Sequence, residues 1–324
     1  MGGQRRGGAL ACPAMPASAQ EPRVHPVLAA LLDPAPHDRI ALVIEGGGMR
    51  GAVSGGMAVG LDELGLTRRF SAAFGSSAGS LNAMWLIAGR IETGAATWID
   101  PELNRTLIDR RRVIRGGPLV DMRRLVEEVY ESVSPGLFAA VLASPAELHP
   151  LATDADRGIC VDLHPEIRDQ RTLRLSLRAS AALPFAAGGA VALGGRRYLD
   201  AGLSAAIPFR AALSAGATHV LVLRSRRAGD VVRPPHGLQR RLLAPLLGRI
   251  SPLVTSLVLS RPEREAIDEA DLERLEADPA GGAHILSVRP GPDSAVPSRL
   301  ESDTGIVRAG FEAGREAIRA TFGA

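Results

Sequence analysis

Lysine is absent from this chain: each of its 38 basic side chains is arginine, set against 35 acidic ones for a formal charge of +3. With alanine and glycine abundant as well, this reads as a compositional bias of the genome rather than a device for arginine-specific binding. Aromatic residues make up only 3% of the sequence, which leaves few platforms for stacking bases, so nucleic acid is not an expected partner. Cys12 and Cys160 are the only cysteines and have no Cys or His neighbour at ligand spacing. They build neither a disulfide framework nor a metal cluster, and a reducing, cytoplasmic setting fits them. No uncharged apolar run reaches about 18 residues, so a transmembrane helix is not expected either. Residues 1–38 are rich in Gly, Ala and Pro. Arg5, Arg6 and the small Ala17-Ser18-Ala19 faintly suggest a secretion signal, but Cys12, Pro13 and Pro16 interrupt its apolar part, and the stretch reads as a disordered extension.

The chain as a whole is 46% hydrophobic and long enough to bury a large core. Residues 40–44 form an apolar run followed by a helical pattern through Leu64; the apolar residues 70–74 and 81–89 repeat the order. Strand, helix, strand, helix predicts an α/β fold, with a parallel-rich central sheet carrying helices on both faces as a three-layer sandwich. Further along, the pattern predicts a helical stripe over 119–133, a hairpin over 151–162 turning at Asp154 to Gly158, a helix over 207–215 and a strand over 220–223. A charged, solvated helix over 262–277, a last strand over 283–288 and a closing helix over 303–321, capped by Ser302 or Asp303, complete the chain. Residues 39–225 are the expected core and 226–324 a C-terminal helical region packed on it.

Chemistry concentrates at two glycine-rich turns. Gly75-Ser76-Ser77-Ala78-Gly79 lies between a strand and a helix, where Gly-x-Ser-x-Gly holds a serine on a turn so tight that its hydroxyl stands clear. A side chain at Gly75 or Gly79 would strike the neighbouring strand or helix, and the helix opening at Ala78 directs its positive end at Ser77. Upstream, Gly46-Gly47-Gly48-Met49-Arg50-Gly51 leaves backbone N–H groups uncovered at a helix start, a pocket for an anion such as the oxygen of a tetrahedral intermediate. Gly46, Gly48 and Gly51 also satisfy the dinucleotide fingerprint, but no Asp or Glu occurs from Leu64 to Ile91 to hold a ribose. A third motif, Asp200-Ala201-Gly202, is by itself only a turn signal.

In this order the three motifs resemble the patatin-like phospholipase family, whose bacterial branch the triple glycine with Met-Arg-Gly is most similar to. Residues 179–185 resemble the segment that precedes the acid there, and the likeness spans about Arg39 to Arg224. The resemblance implies hydrolysis of acyl esters by a Ser-Asp dyad: Ser77 as nucleophile, Asp200 as base, and Gly47, Gly48 and Arg50 around the oxyanion. It implies lipid or fatty-acyl ester substrates, phospholipase A or lysophospholipase activity, and no cofactor or metal. The acid is often followed by two glycines in the family; Ala201 replaces the first and is expected to narrow the approach to the acid slightly. The alternatives are a non-lipid carboxylesterase and a nucleotide- or anion-binding module with an inert serine.

A carboxylate with an ordinary pKa of about 4 is a feeble base at neutral pH, so a histidine completing a Ser-His-Asp triad is the alternative to weigh. After Asp200 come His219, His236 and His284. His219 and His284 open strands, which sets them on the sheet edge opposite the strand-to-helix loops, and His236 lies in a Pro-rich turn. A dyad with a desolvated Asp200 is therefore expected. Two basic stretches, one from Arg105 to Arg124 and one from Arg224 to Arg249, remain. The second runs into Leu238, Leu242, Leu246, Ile250, Leu253 and Leu257, an apolar stripe at helical spacing, and its plain reading is a helix covering the sheet with arginines in water. The functional alternative is peripheral contact with an anionic membrane surface.

Overall fold

The architecture is that of a computed structural model, which describes residues 24–184, 186–230, 237, 248, 252–278 and 282–324. Helix α1 (Pro26–Leu32) precedes β1 (Ile40–Ile44), and the glycine loop leads through one 3-10 turn into α2 (Gly51–Glu63). Strand β2 (Ala72–Ser76) runs into α3 (Ala78–Ile87). Short helices follow: α4 (Ile91–Ile99), α5 (Pro101–Leu107), α6 (Arg110–Ile114), α7 (Met122–Arg124), α8 (Tyr130–Val133) and α9 (Leu137–Leu142). Then come β3 (Glu147–Asp154), β4 (Cys160–Asp162), α10 (Gln170–Ser180), β5 (Val191–Leu193), β6 (Arg196–Asp200), α11 (Phe209–Ser214) and β7 (His219–Leu223). The chain closes with α12 (Pro252–Leu259), α13 (Arg261–Ala277), β8 (His284–Val288) and α14 (Thr304–Phe322).

One eight-stranded sheet has the order β5-β6-β3-β2-β1-β7-β8, with β4 paired to β3. β3, β2, β1, β7 and β8 are mutually parallel, while β4 and β6 run antiparallel to β3. The unbroken apolar run of β1 follows from burial on both faces: Ile40, Leu42 and Ile44 enter one core, and Ala41 and Val43 enter the other with Phe209 and Leu272. Helix α14 crosses α2 at glycines. A methyl on Gly56 would enter the Phe311 carbonyl and one on Gly314 the Val53 carbonyl, so the backbones meet without intervening side chains. Asp303 caps α14, its carboxylate accepting from Gly305 N at 2.8 Å.

Three expectations change. Residues 26–32, expected within a disordered extension, form α1, which buries Val27 and Leu31 against the sheet; residues 1–23, with Cys12, lie outside the described residues. The stripe over 119–133 is not one helix. Val120 bridges to Ile108, and the helical run begins at Met122 and passes through a π-helical turn, Leu125–Val129. Helix α13 is not a solvated face either, since Glu265 and Leu272 are buried. The Asp154 turn is as the sequence suggests, its carboxylate accepting from the Asp156 and Arg157 amides.

Candidate active site

Ser77 follows directly on β2, and it is the only non-glycine among the described residues with a left-handed backbone, at φ 53° and ψ −122°. That conformation is held from both sides. Gly79 lets α3 press against the Ile44 carbonyl, and the Ser77 amide donates to Ser180 Oγ at 3.1 Å. Strand register brings the acid alongside: Ser76 pairs with Leu151 of β3, and the next residue, Ala152, pairs across its other edge with Asp200. Nucleophile and acid candidates thus sit at one level on either side of a single strand, and both line the same cleft.

Asp200 is 5% exposed, and burial raises its pKa above the usual carboxylate value, against the opposing pull of Ser77, the Gly202 amide and the guanidinium groups of Arg261 and Arg299. Its Oδ1 accepts from Gly202 N at 2.8 Å, and a side chain at Gly202 would crowd that oxygen. The Ala201 methyl does not narrow the approach as expected; it is fully buried in the core with Ile207 and Phe209.

The amides of the glycine loop divide into two sets. Gly46 N donates to Ala206 O, Met49 N to Arg299 O, Arg50 N to Gly47 O, and Gly51 N back into the 3-10 turn. The N–H groups of Gly47 and Gly48, which lead into that turn, have no backbone acceptor among the described residues. Gly48 has φ +59°, and a methyl there would strike the Arg299 carbonyl. Gly46 packs against Ser76, where an added methyl would meet the carbonyl at 2.7 Å. The loop therefore abuts the serine turn itself, which leaves little room for a pyrophosphate.

Beneath the loop lies an ionic cluster that sequence reasoning missed. Glu45, wholly buried at the end of β1, accepts from Ser225 N at 2.8 Å, Arg226 Nε at 2.9 Å and Arg224 Nε at 3.2 Å. Arg224 reaches on to Glu269 and Arg226 to Glu265, both at 2.6 Å, and Arg261 also pairs with Glu265. Burial alone would raise the Glu45 pKa, but Arg224, Arg226 and Arg50 with the Ser225 amide outweigh it and hold the carboxyl far below its usual range. Arg224 and Arg226 are thus not arginines in water. The signal was available: Glu45 and Arg224 each end an apolar strand, and neighbouring parallel strands end on the same edge. Arg50 folds over Gly47, with its Nε and Nη2 buried and without hydrogen-bond partners among the described residues.

Ser77, Asp200 and the Gly46–Met49 loop open on a cleft of about 220 Å³, walled by Leu81, Trp98, Leu107, Ile108, Val120, Met122, Leu125 and Leu183. Arg261, Arg299 and Leu300 line it too. Burial, then Arg261 and Arg50, push the Arg299 guanidinium down to about 9. His219 and His284 pair at the opposite edge of the sheet, away from the cleft. His236, Phe185, Arg233, Arg240, Arg241 and Arg249, with Leu238, Leu242, Leu246 and Ile250 of the apolar stripe, lie outside the described residues.

A serine at a strained strand-to-helix turn and a buried carboxylate at the same level of the sheet, both lining an apolar cleft, frame the candidate site of this α/β protein. The chain belongs to the patatin-like phospholipase family, whose model matches residues 42–213. It is 31% identical over 206 residues to the uncharacterized protein YjjU of Escherichia coli K12, a match covering 60% of this chain and 54% of that one. The chain thus spans about half the length of this curated relative. Among solved structures it is similar to VipD of Legionella pneumophila (12% identity, 88% of this chain and 67% of that one, TM-score 0.38). It is also similar to the complex of SpcU with ExoU from Pseudomonas aeruginosa (16% identity, 75% and 58%, TM-score 0.24).

Proposed function

We propose that the protein is a serine acyl hydrolase of lipid carboxylic esters, of phospholipase A or lysophospholipase type, working through Ser77 and Asp200. Ser77 Oγ attacks the ester carbonyl carbon as Asp200 takes its proton, and the Gly47 and Gly48 amides receive the oxyanion. Collapse of the tetrahedral intermediate breaks the bond to the alcohol, to which Asp200 returns the proton. Water, deprotonated by Asp200, then releases the acid from the acyl-serine. The observation that carries this reading is the meeting of a left-handed Ser77 and a buried Asp200 in one cleft, beside two amides without backbone acceptors. The apolar cleft favours an acyl chain over a small polar ester. Fluorophosphonate labelling tests the reading: the wild type should label and Ser77→Ala should not, and labelling that survives in Ser77→Ala refutes the assignment. Rates that rise with acyl length separate a lipid esterase from a non-lipid carboxylesterase.

The site is proposed to work at a membrane surface. No helix among the described residues is long and apolar enough to cross a membrane. Helix α6 instead projects Ile114, 87% exposed, between Arg111 and Arg115, which with Arg105 are exposed and have no ion-pair partner among the described residues. Leu107 and Ile108, just before α6, line the cleft. An apolar tip ringed by arginine suits an anionic bilayer. Ile114→Asp with Arg111→Glu should abolish pelleting with anionic vesicles and spare turnover of a soluble short-chain ester; pelleting indifferent to salt, lipid charge and both substitutions rejects it.

A further inference from the structure

At the far end of β3 the chain repeats itself: Glu147-Leu148-His149-Pro150 and Asp162-Leu163-His164-Pro165. The β3–β4 hairpin and the turn after it bring the two tetrads together. His149 is 5% exposed and stacks between Phe74 and His164, with ring centroids 4.1 and 4.4 Å away. His149 Nδ1 lies 2.7 Å from Asp162 Oδ2, and His164 Nδ1 lies 2.9 Å from the Leu148 carbonyl oxygen. A carboxylate and a carbonyl only accept, so each imidazole carries a proton on Nδ1, and in the neutral rings both Nε2 atoms keep a free lone pair. Those atoms converge on one carboxylate: His149 Nε2 is 3.4 Å from Glu147 Oε2, and His164 Nε2 is 4.0 Å from Glu147 Oε1.

We propose that Glu147, His149 and His164 form a binding site for a divalent transition metal of the zinc class. One ligand atom from each residue falls within 4.8 Å of the other two. Two imidazole nitrogens and a carboxylate are a ligand set that zinc takes, with water in the fourth position. The outer contacts match as well, since ligating histidines ordinarily donate their other N–H to a carboxylate or a backbone carbonyl, as His149 does to Asp162 and His164 to Leu148. The rings lie 26° from parallel, so ion capture turns one of them toward the metal; His164, with a side chain 38% exposed, is the one free to move. Glu147 pairs with Ala72 at the start of β2, while Ser76 ends that strand, which sets the metal about 13 Å from the serine turn along the sheet. The ion thus clamps the β3–β4 hairpin and takes no part in chemistry at Ser77.

Full-length protein stripped of metal by chelator dialysis should bind one equivalent of Zn²⁺ by calorimetry. It should also bind one of Co²⁺ with the visible absorption of a low-symmetry site. His164→Gln and Glu147→Gln change exposed or half-exposed side chains and should melt like the wild type in chelator, yet bind either ion at least about tenfold more weakly. Zn²⁺ should raise the melting midpoint of the wild type and, at the same concentration, raise that of both variants less. In the wild type alone, Co²⁺ should shift the proton resonances of two imidazoles among the seven histidines, a readout that depends on no variant. Absence of stoichiometric uptake, uptake undiminished in both variants, or cobalt shifts at no histidine overturns the site.

Discussion

Replacing Glu45 by glutamine keeps the shape of that side chain and removes its charge, leaving Arg224 and Arg226 buried against a neutral group. Breaking a buried pair costs about 3–5 kcal/mol, because the partner's charge is left uncompensated. Here Glu269 and Glu265 still balance the two guanidinium groups, so the lower figure of about 3 kcal/mol applies. With an unfolding entropy of about 2.1 cal/mol/K per residue, a chain of 324 residues shifts by about 1.5 °C per kcal/mol, so the midpoint should fall by roughly 4–5 °C. The pH dependence carries a second signature. The folded Glu45 pKa lies below its ordinary value of 4.5, so the unfolded chain takes up the proton first as pH falls. The carboxylate contributes its full stabilisation above that value and loses it progressively below. Wild type and Glu45→Gln should therefore differ most near neutrality and converge in acid. Urea denaturation across pH measures both effects. A difference under about 1 kcal/mol at pH 7, or one that widens in acid, would refute the claim that this carboxylate anchors the loop.

Arg261 and Arg299 favour the ionised form of Asp200, so Arg299→Gln should move the acid limb of the kcat/KM profile to higher pH; an unmoved limb means that Asp200 does not govern it. In the wild type that limb should rise through a pKa above the ordinary carboxylate value, because burial raises Asp200. Gly48→Ala forces an alanine into a left-handed backbone and against the Arg299 carbonyl, and should cost on the order of a hundredfold in turnover of a soluble ester. Unchanged turnover would place the oxyanion elsewhere. Gly56→Ala drives a methyl into the Phe311 carbonyl where α14 crosses α2 and should cost about 1–3 kcal/mol in urea unfolding, with no change in KM if the crossing is purely structural.

Much of this was legible in the sequence, for physical reasons that differ by element. Strand β1 was readable because parallel burial writes itself as an unbroken apolar run, and the serine turn because few residues other than glycine fit beside such a bend. The fate of Arg224 was not legible from charge counting. A cluster of arginines with a single nearby acid reads as solvated, and its true partners, Glu45 and Glu269, lie 179 and 45 residues away. Helix α13 misled for the same reason, since its acids look uniform along the chain while Glu265 turns inward to Arg226 and Arg261. The π-helical turn over Leu125–Val129 left no trace because its residues keep the apolar spacing of an ordinary helix.

The matched family segment, residues 42–213, does not by itself hold the candidate oxyanion loop in place. Glu45 at the head of that segment is neutralised by Arg224 and Arg226, which follow it, and these are steadied by Glu265 and Glu269 of α13. From the far side, the Arg299 carbonyl occupies the Met49 amide and fills the space a side chain at Gly48 would need. Two supports from the last third of the chain thus bracket the Gly47 and Gly48 amides, one beneath through charge and one above through a backbone hydrogen bond. In the proposed mechanism a preorganised donor pair has catalytic value only if it does not relax when charge develops, so the C-terminal region belongs to the candidate site as much as the serine turn does.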